Sequence, residues 1–354
     1  MNAMRSAAIY LNGSGYRTSV LTKAVSRLVR KLYEKGVSVK VFGGTSAGGL
    51  MAACYAQAST DLGLLNHYCR VVEDMWERID RNGPEKIIPL GSSNVAKSVQ
   101  SWLPTTGNTA IKLGLSEHLV PIESLYGLFD GTLLGTPEQP LHPTDSRKIA
   151  RSPVRLEIFY EKTQMDKQGV SSHGVSVTLN HDERVQKNPA IIRDAVVASA
   201  ALPGIFPAVE VDGSLCQDFG VLDPRLSVGR EIDFIFVLVP AFYHIRNKEK
   251  ETKLERMLFD SAIFRLIGTD SRKKGMLNDI LFEDARRQIE DAQGKIRTLS
   301  WPGVQKIYRF TLGGHTESLH FHTFRPNDLV QAATLGDEQM LQELARLEEE
   351  RFFD

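Results

Sequence analysis

The chain of 354 residues contains few cysteines, no excess of charge of either sign and no long hydrophobic segment. Its three cysteines include no C-x-x-C pair, so they supply neither a disulfide framework nor the spacing of a zinc site, and they suit a reducing compartment. Lysine and arginine together number 43, as do aspartate and glutamate. This balance argues against a nucleic-acid partner and against attachment to anionic lipid by charge alone.

No apolar run in the sequence is long enough to cross a membrane. The longest run, Phe234–Tyr243, contains Pro240 and is far shorter than the roughly 20 residues that span a bilayer. The run Ala7–Leu11 is too short for the apolar region of a signal peptide. A content of 42% hydrophobic and 24% charged residues is typical of a soluble globular protein. We therefore expect a cytoplasmic protein whose membrane contact, where it occurs, is peripheral.

The first sixty residues carry the pattern of two βα units. An apolar run at Ser6–Leu11 predicts a strand. Apolar residues at i, i+3, i+4 and i+7 predict an amphipathic helix over residues 19–35, which Gly36 ends. Alternating valines predict a second strand at Val37–Phe42, and a mostly apolar helix follows a glycine-rich turn at Leu50–Ala58. This order implies a parallel sheet with a crossover on each face.

Further core elements are predicted between residues 150 and 240. They comprise a helix at Ala190–Ala201, a hairpin of Val209–Val211 with Ser214–Gln217, and strands at Val154–Glu161, Val175–Asn180 and Asp233–Pro240. The last of these is a nearly continuous apolar run, as expected for a central strand that is buried on both faces.

Two regions flank this part of the core. Prolines and glycines interrupt residues 61–150, where only His67–Ile79 and Ile122–Phe129 carry a helical pattern, so we interpret that region as an inserted lid or helical subdomain. The C-terminal segment predicts helices at 250–292 and Pro326–Arg351 and a strand at Val304–Leu312. We expect a single α/β domain over 1–354, with its core at 6–58 and 150–240 and with residues 250–354 as a helical extension packed on that core.

The charge-rich helix at 250–292 is interpreted mainly as a solvated face. Arg272, Lys273 and Lys274 are its candidates for contact with a partner or with lipid.

A first chemical motif, G-x-S-x-G, occupies the turn between the second strand and the following helix, at Gly44–Gly48. Such a turn lifts the Ser46 hydroxyl clear of the backbone, and the helix N-terminus behind it favours developing negative charge. The alternative is a glycine-rich tight turn that merely buries a serine.

A second motif, the loop Asn12–Arg17, joins the first strand to the first helix. Its backbone N–H groups can converge on an anion, which would make an oxyanion hole for the serine one strand away. A dinucleotide site is the competing interpretation, but Thr18 stands where the last glycine is required and no acid follows the second strand. An ordinary structural loop remains the third alternative.

The third motif is Asp218-Phe219-Gly220, which follows a proline-rich segment and the predicted hairpin. Taken alone, an aspartate at a turn is usually a solvated or capping residue. The three motifs together, however, resemble the patatin-like phospholipase family, whose pattern couples a D-G-G-G-x-R-G loop, a G-x-S-x-G elbow and a later D-G-G/A. The resemblance covers residues 6–58 and about 150–240, and the stretch Asp194–Pro224 makes it specific.

This resemblance implies a three-layer α/β/α fold with a mostly parallel sheet and a lipid acyl hydrolase of the phospholipase A or esterase type. Ser46 would attack the acyl ester and Asp218 would take its proton, with an acyl-enzyme intermediate. The family's oxyanion-hole positions correspond to Gly13, Ser14 and Gly15. Supporting positions correspond to Arg17, Gly44, Gly48 and Gly220. The family implies no cofactor and no metal, and a phospholipid or another acyl-ester lipid as substrate.

The sequence departs from the family pattern at four positions. Asn12 replaces an acid, Ser14 and Thr18 replace glycines, and Phe219 replaces the small residue beside the dyad aspartate. If the backbone at Ser14 or Thr18 needs a positive φ, a side chain there is strained. These departures keep open a non-catalytic, lipid-binding or regulatory role.

The histidines define a further alternative, a Ser-His-Asp esterase. His315, His320 and His322 follow the serine and the aspartate in the chain order that a triad requires, although Ser46 comes early for that class. In a strand, His320 and His322 would share one face and could suggest metal ligands, but no cysteine or closely spaced acid pair completes a metal site.

Overall fold

A computed structural model describes residues 5–58, 61–87, 120–135, 141, 143–165, 171–203, 205–244, 262–295, 305–316, 319 and 324–354. The strands in chain order are β1 Arg5–Leu11, β2 Val37–Thr45, β3 Arg155–Met165, β4 Ser171–Leu179, β5 Val209–Val211, β6 Ser214–Gln217, β7 Phe234–Pro240, β8 Tyr243–His244, β9 Lys306–Leu312 and β10 His315–Thr316. The helices are α1 Leu21–Glu34, α2 Ala47–Ala56, α3 Leu62–Asn82, α4 Glu123–Asp130, α5 Ser146–Arg151, α6 Glu183–Lys187, α7 Ala190–Ala200, α8 Ala262–Lys295 and α9 Asp328–Glu349.

Within the described residues an eight-stranded sheet forms the centre of the molecule, in the order β5-β6-β3-β2-β1-β7-β9 with β4 paired to β3. The five strands β3, β2, β1, β7 and β9 run parallel, whereas β4 and β6 are antiparallel to β3. Strands β1 and β7 are apolar almost throughout because both faces are covered. The predicted mostly parallel α/β/α architecture is confirmed.

The first layer of helices covers one face of the sheet. Helix α1 buries the stripe that its periodicity predicts, with Leu21, Val25, Leu28 and Leu32 inaccessible to solvent. It packs against β2 on one side and against α3 and α9 on the other. Helix α2 is buried along almost its whole length, because it lies between β2, α3 and α7. Helices α1 and α2 share one core, so both crossovers lie on the same face and the predicted crossover on each face is wrong.

The second layer covers the opposite face. A separate apolar cluster on this face contains Tyr10, Phe159 and Ile235 from the sheet. Leu222, from the segment after β6, and Ile289 of α8 complete it. Helix α8 also packs against β9 and against the 3-10 turn Pro224–Ser227. The C-terminal part of the chain therefore contributes a strand to the sheet as well as helices to both layers.

The observed boundaries differ from the predicted ones mainly at the ends of helices. Helix α2 begins at Ala47, directly after Ser46, and not at Leu50, because glycines conceal the start of the helix from an apolar pattern. A 3-10 turn at Arg17–Val20 precedes α1. Residues 250–261 of the predicted helical segment at 250–292 lie outside the described residues.

Much of the predicted lid at 61–150 also lies outside the described residues, which omit 88–119 and 136–140. Helix α3 from this region packs against α1, α2 and α9, and α4 packs against α7. A lid function stays a prediction. No helix of the described residues is both long and apolar enough to cross a membrane.

One buried carboxylate joins this region to the C-terminal helix. Asp80 of α3 is 5% exposed, and its two oxygens accept hydrogen bonds from the backbone N–H groups of Asn327 at 2.8 Å and Leu329 at 3.0 Å. These N–H groups lie at the start of α9, where the helix itself supplies no acceptor.

We expect Asp80→Ala to lower the free energy of unfolding by about 2 kcal/mol, because it removes a charged cap and leaves buried N–H groups without an acceptor. The exposed acid Glu77 lies on the same helix, and Glu77→Ala should change stability by less than about 0.5 kcal/mol. Urea denaturation of both variants checks this expectation, and equal stability would contradict it.

Candidate active site

Ser46 occupies the sharp turn between β2 and α2. Its backbone has φ 54° and ψ −136°, a region that residues with a side chain rarely adopt. The N–H groups of Gly49 and Leu50 donate the first helical hydrogen bonds to the Ser46 carbonyl oxygen, at 2.9 and 3.3 Å. The turn therefore directs the Ser46 side chain away from the helix and places it at the positive end of the α2 dipole.

Asp218 follows directly after β6, two strands away from β2 in the sheet. Its backbone N–H donates to the Ala201 carbonyl oxygen at 3.0 Å, which ties it to the end of α7. The Ser46 hydroxyl and the backbone N–H of Gly220 lie close enough to its carboxylate to lower the pKa of that group by hydrogen bonding. The fold thus brings together the two side chains that the sequence motifs single out.

Burial dominates the electrostatics of Asp218. The residue is 5% exposed, and loss of solvation raises the pKa of its carboxyl to about 6. The positive charge of Lys274 and the hydrogen bonds from Ser46 and Gly220 act in the opposite direction, whereas the charge of Glu161 raises this pKa further. The value of about 3.9 for an unperturbed aspartate therefore does not apply to the pKa of Asp218.

The glycine-rich loop packs directly on the serine turn. A Cβ atom at Gly13 would lie 2.3 Å from the Thr45 carbonyl oxygen and 2.4 Å from the Ser46 Cβ. A Cβ atom at Gly48 would lie 2.3 Å from the Leu11 carbonyl oxygen. Gly44 pairs with Leu11 in the sheet, so β1 and β2 end at the same level. Glycine is required at these contacts because no side chain fits between the two turns.

Within this loop the replacement of glycine by Thr18 creates a hydrogen bond. The Ser14 backbone N–H donates to Thr18 Oγ1 at 2.7 Å, so that N–H is engaged inside the loop. The oxyanion role of Ser14 stays a prediction, and this hydrogen bond argues against it because the N–H already has an acceptor. Neither Ser14 nor Thr18 has a positive φ, whereas Gly15 has φ 54°, so the anticipated backbone strain does not arise.

Arg17 links the loop to the C-terminal segment. Its Nε donates to the Leu319 carbonyl oxygen at 3.3 Å, and burial lowers the pKa of the guanidinium from its ordinary value. The side chain lines the same cavity as Ser46 and Asp218.

Ser199 is a site residue that the sequence motifs do not reveal. Its Oγ accepts a hydrogen bond from the Ser46 backbone N–H at 2.9 Å and donates one to the Phe159 carbonyl oxygen at 2.5 Å. A serine that is inaccessible to solvent on the mostly apolar helix α7 is the signal that points to it. Ser199 thereby fixes the strained turn to β3.

Helix α8, which contains none of the three motifs, contacts the loop that follows Asp218. The Asn278 amide nitrogen donates to the Gly220 carbonyl oxygen at 2.9 Å, and its amide oxygen accepts from the Leu222 N–H at 2.8 Å. Lys274, one turn earlier, has its ammonium 5.1 Å from the centre of the Phe219 ring. The interpretation of this helix as mainly a solvated face is therefore wrong for these two positions.

A cavity of about 380 Å³ opens at Ser46 and Asp218. Most of its wall is apolar and comes from α2, α3, α4 and the segment after α7. These wall residues include Leu50, Met75, Trp76, Ile79, Leu125, Leu128, Leu202 and Phe206. Such a concave apolar space with a few converging polar groups is typical of a site for a small, mainly apolar ligand.

The histidines of the alternative triad do not gather at this cavity within the described residues. His315 lies in β10, where it pairs with Tyr243 of β8, and it is exposed and not among the cavity-lining residues. His320 and His322 lie outside the described residues. In the part of the chain that the structure describes, no group of three or more His, Cys, Asp or Glu side chains is arranged to hold a metal.

The sequence of the site matches a known family. A family model described as Patatin-like phospholipase matches residues 11–226, which is more than half of the chain and includes both Ser46 and Asp218. The chain belongs to the patatin-like phospholipase family. This membership supports the general class of lipid hydrolase, and it confirms the resemblance on which the sequence analysis drew.

Solved structures similar to this patatin-like chain include bacterial proteins of low sequence identity. VipD from Legionella pneumophila aligns over 97% of this chain and 67% of its own, with 13% identity and a TM-score of 0.41. ExoU in the heterodimeric ExoU–SpcU complex of the Pseudomonas aeruginosa type III secretion system aligns over 81% of this chain and 51% of its own, with 15% identity and a TM-score of 0.26. No curated protein matches the chain significantly. The family assignment therefore rests on the match over residues 11–226.

We expect Gly13→Ala to lower the free energy of unfolding of this patatin-like domain by about 1–3 kcal/mol, because the added methyl group overlaps the serine turn. Gly275 provides a matched control, since a Cβ atom there would meet no atom within 4 Å. Gly275→Ala should leave stability unchanged or raise it by up to about 1 kcal/mol. Denaturation curves check the pair, and a fully stable Gly13→Ala variant would contradict the packing argument.

Proposed function

We propose that the chain is a lipid acyl hydrolase that cleaves carboxylic esters through a dyad of Ser46 and Asp218. The observation that carries this proposal is the approach of the Ser46 hydroxyl to the buried Asp218 carboxylate in the wall of a mainly apolar cavity. A serine is a weak nucleophile unless an adjacent base removes its proton. Asp218 is the group in position to act as that base.

In the acylation step the Ser46 oxygen bonds to the ester carbonyl carbon while its proton moves to Asp218. The negative charge that forms on the carbonyl oxygen faces the N-terminus of α2 and the loop that contains Gly13 and Gly15, all of which line the cavity. The tetrahedral intermediate then releases the alcohol, which takes the proton from Asp218. An acyl group remains esterified to Ser46.

Hydrolysis of this acyl-enzyme repeats the steps with water as the nucleophile. Asp218 removes a proton from the water molecule that attacks the acyl carbon, and it returns the proton to Ser46 as the acid leaves. The dyad is restored without a cofactor. Because the carboxylate is held by the Gly220 N–H as well as by Ser46, it keeps its position while Ser46 is acylated.

The cavity walls support a lipid as the substrate. Side chains such as Met75, Trp76 and Phe206 offer an apolar surface to an acyl chain, and burial of that chain contributes about 25 cal/mol for each Å² removed from water. A phospholipid or another acyl-ester lipid fits this requirement. Access to such a substrate would involve peripheral contact with a membrane surface.

We expect Ser46→Ala and Asp218→Asn each to reduce hydrolysis of a medium-chain p-nitrophenyl ester by at least about 10³-fold, because each removes one member of a unit that acts together. Asp212→Asn is the matched control, since Asp212 lies in the exposed turn between β5 and β6, away from the cavity. It should keep activity within about twofold of the parent, because exposed substitutions away from a site have small effects.

Three outcomes would contradict this proposal. Full activity of either dyad variant would exclude the Ser46–Asp218 mechanism. A loss of activity in His320→Ala or His322→Ala as large as that in Ser46→Ala would favour the triad esterase. A parent protein that copurifies with lipid but hydrolyses no ester would instead favour the non-catalytic role.

We also expect kcat/KM to fall as the pH drops through about 6, because the carboxyl of Asp218 has its pKa raised to about 6 and must be ionised to accept a proton. The base is present above this pH and lost below it. A pH profile with an uncharged ester measures the midpoint. A midpoint near the value of about 3.9 for an unperturbed aspartate would contradict the effect of burial.

A further inference from the structure

A lysine on helix α8 lines the same cavity as the candidate base, Asp218. The ammonium of this residue, Lys274, stands 5.1 Å from the centre of the Phe219 ring. An ammonium group at this distance over an aromatic face is attracted by the negative π-surface. Phe219 is the residue that follows Asp218 in the chain, and the charge of Lys274 lowers the pKa of the Asp218 carboxyl.

A second contact fixes α8 relative to the same loop. Asn278, one helical turn after Lys274, accepts a hydrogen bond from the Leu222 N–H and donates one to the Gly220 carbonyl oxygen. These two bonds span the residues directly after Asp218 and hold the helix in register with the loop. The position of Lys274 is therefore set by its contact with Phe219 and by the two hydrogen bonds of Asn278, one turn later in the helix.

We propose that Phe219 and Lys274 act as a coupled positioning pair that holds a positive charge beside Asp218 and thereby sets the pH range in which this carboxylate accepts the Ser46 proton. The inference rests on the proposed hydrolase function. This proposal gives a role to Phe219, which stands where the family pattern has a small residue. It also gives a role to a helix that lies outside the segment matched by the family, 11–226.

The groups that face Asp218 come from several elements. Lys274 supplies the positive charge from α8, and Glu161 of β3 supplies a negative charge that opposes it. The Ser46 hydroxyl and the Gly220 N–H donate hydrogen bonds that favour the ionised carboxylate. Arg17 lines the cavity from the loop after β1. Without the positive charge of Lys274, burial and the charge of Glu161 would raise the pKa of the Asp218 carboxyl further.

The test compares pH profiles of kcat/KM for an uncharged ester in Lys274→Met, Lys274→Arg and Lys273→Met. We expect Lys274→Met to move the acidic midpoint upward by about one pH unit, because an opposite charge nearby normally lowers the pKa of a carboxyl. Lys274→Arg should keep the parent midpoint. Lys273 is the exposed neighbour and does not line the cavity, so Lys273→Met removes the same charge and should leave the midpoint unchanged.

Phe219→Leu tests the coupling within the pair. It should move the midpoint in the same direction as Lys274→Met by a smaller amount, because the ammonium loses the ring that holds it. The variant that combines Phe219→Leu with Lys274→Met should show no further shift beyond Lys274→Met alone, since both changes act through one charge. Additive shifts would overturn the coupling.

A second readout does not require activity. The carboxyl carbon of Asp218, assigned by its loss in Asp218→Asn, is titrated by 13C NMR in the parent and in Lys274→Met, after thermal unfolding has shown that both are folded. An upward shift of its midpoint in Lys274→Met supports the pair even where the parent hydrolyses no ester. A shift without hydrolysis would contradict the proposed function but not the pair. An unchanged midpoint overturns the pair even where Ser46-dependent hydrolysis is found.

Kinetics with a charged substrate separate this role from direct substrate binding. If Lys274→Met raises KM for an anionic ester but not for an uncharged one, and the acidic midpoint stays unchanged, Lys274 binds substrate and the positioning role is overturned. An equal shift of the midpoint with both esters supports the positioning role.

Discussion

The approach of Ser46 to Asp218 is the contact on which the rest of the site depends. Its two residues come from distant parts of the sequence and meet because β2 and β6 flank the same strand, β3. Ser199 reinforces this meeting point, since it joins the Ser46 N–H to the Phe159 carbonyl oxygen on β3. The parallel sheet thus acts as a fixed frame for a strained turn on one side and a buried carboxylate on the other.

Both ends of this contact are unfavourable by themselves, and the surrounding structure compensates for each. The backbone of Ser46 is held in a rare conformation by the first turn of α2 and by Ser199. Burial of Asp218 disfavours its charge, while the Gly220 N–H and Lys274 favour it. A carboxyl whose pKa is about 6 is ionised at neutral pH and is still a better proton acceptor than an exposed aspartate.

The sequence allowed the parallel sheet, both βα units and the approach of Ser46 to Asp218 to be predicted, because each rests on a local pattern: the alternation of β2, the periodicity of α1 and the turn chemistry at Ser46. It did not reveal Ser199, Lys274 or Asn278. These residues lie on helices where a single polar side chain carries no motif, and their roles depend on which loop the helix packs against. The engagement of the Ser14 N–H by Thr18 likewise depends on the folded loop.

The most direct test of the central claim is covalent labelling of the folded protein with a fluorophosphonate, followed by identification of the modified peptide by mass spectrometry. The mechanism predicts one modified residue, Ser46, and much slower modification when Asp218 is replaced by asparagine, because the serine then lacks its base. Modification of a different residue, or labelling of Ser46 at the parent rate without the Asp218 carboxylate, would contradict the account.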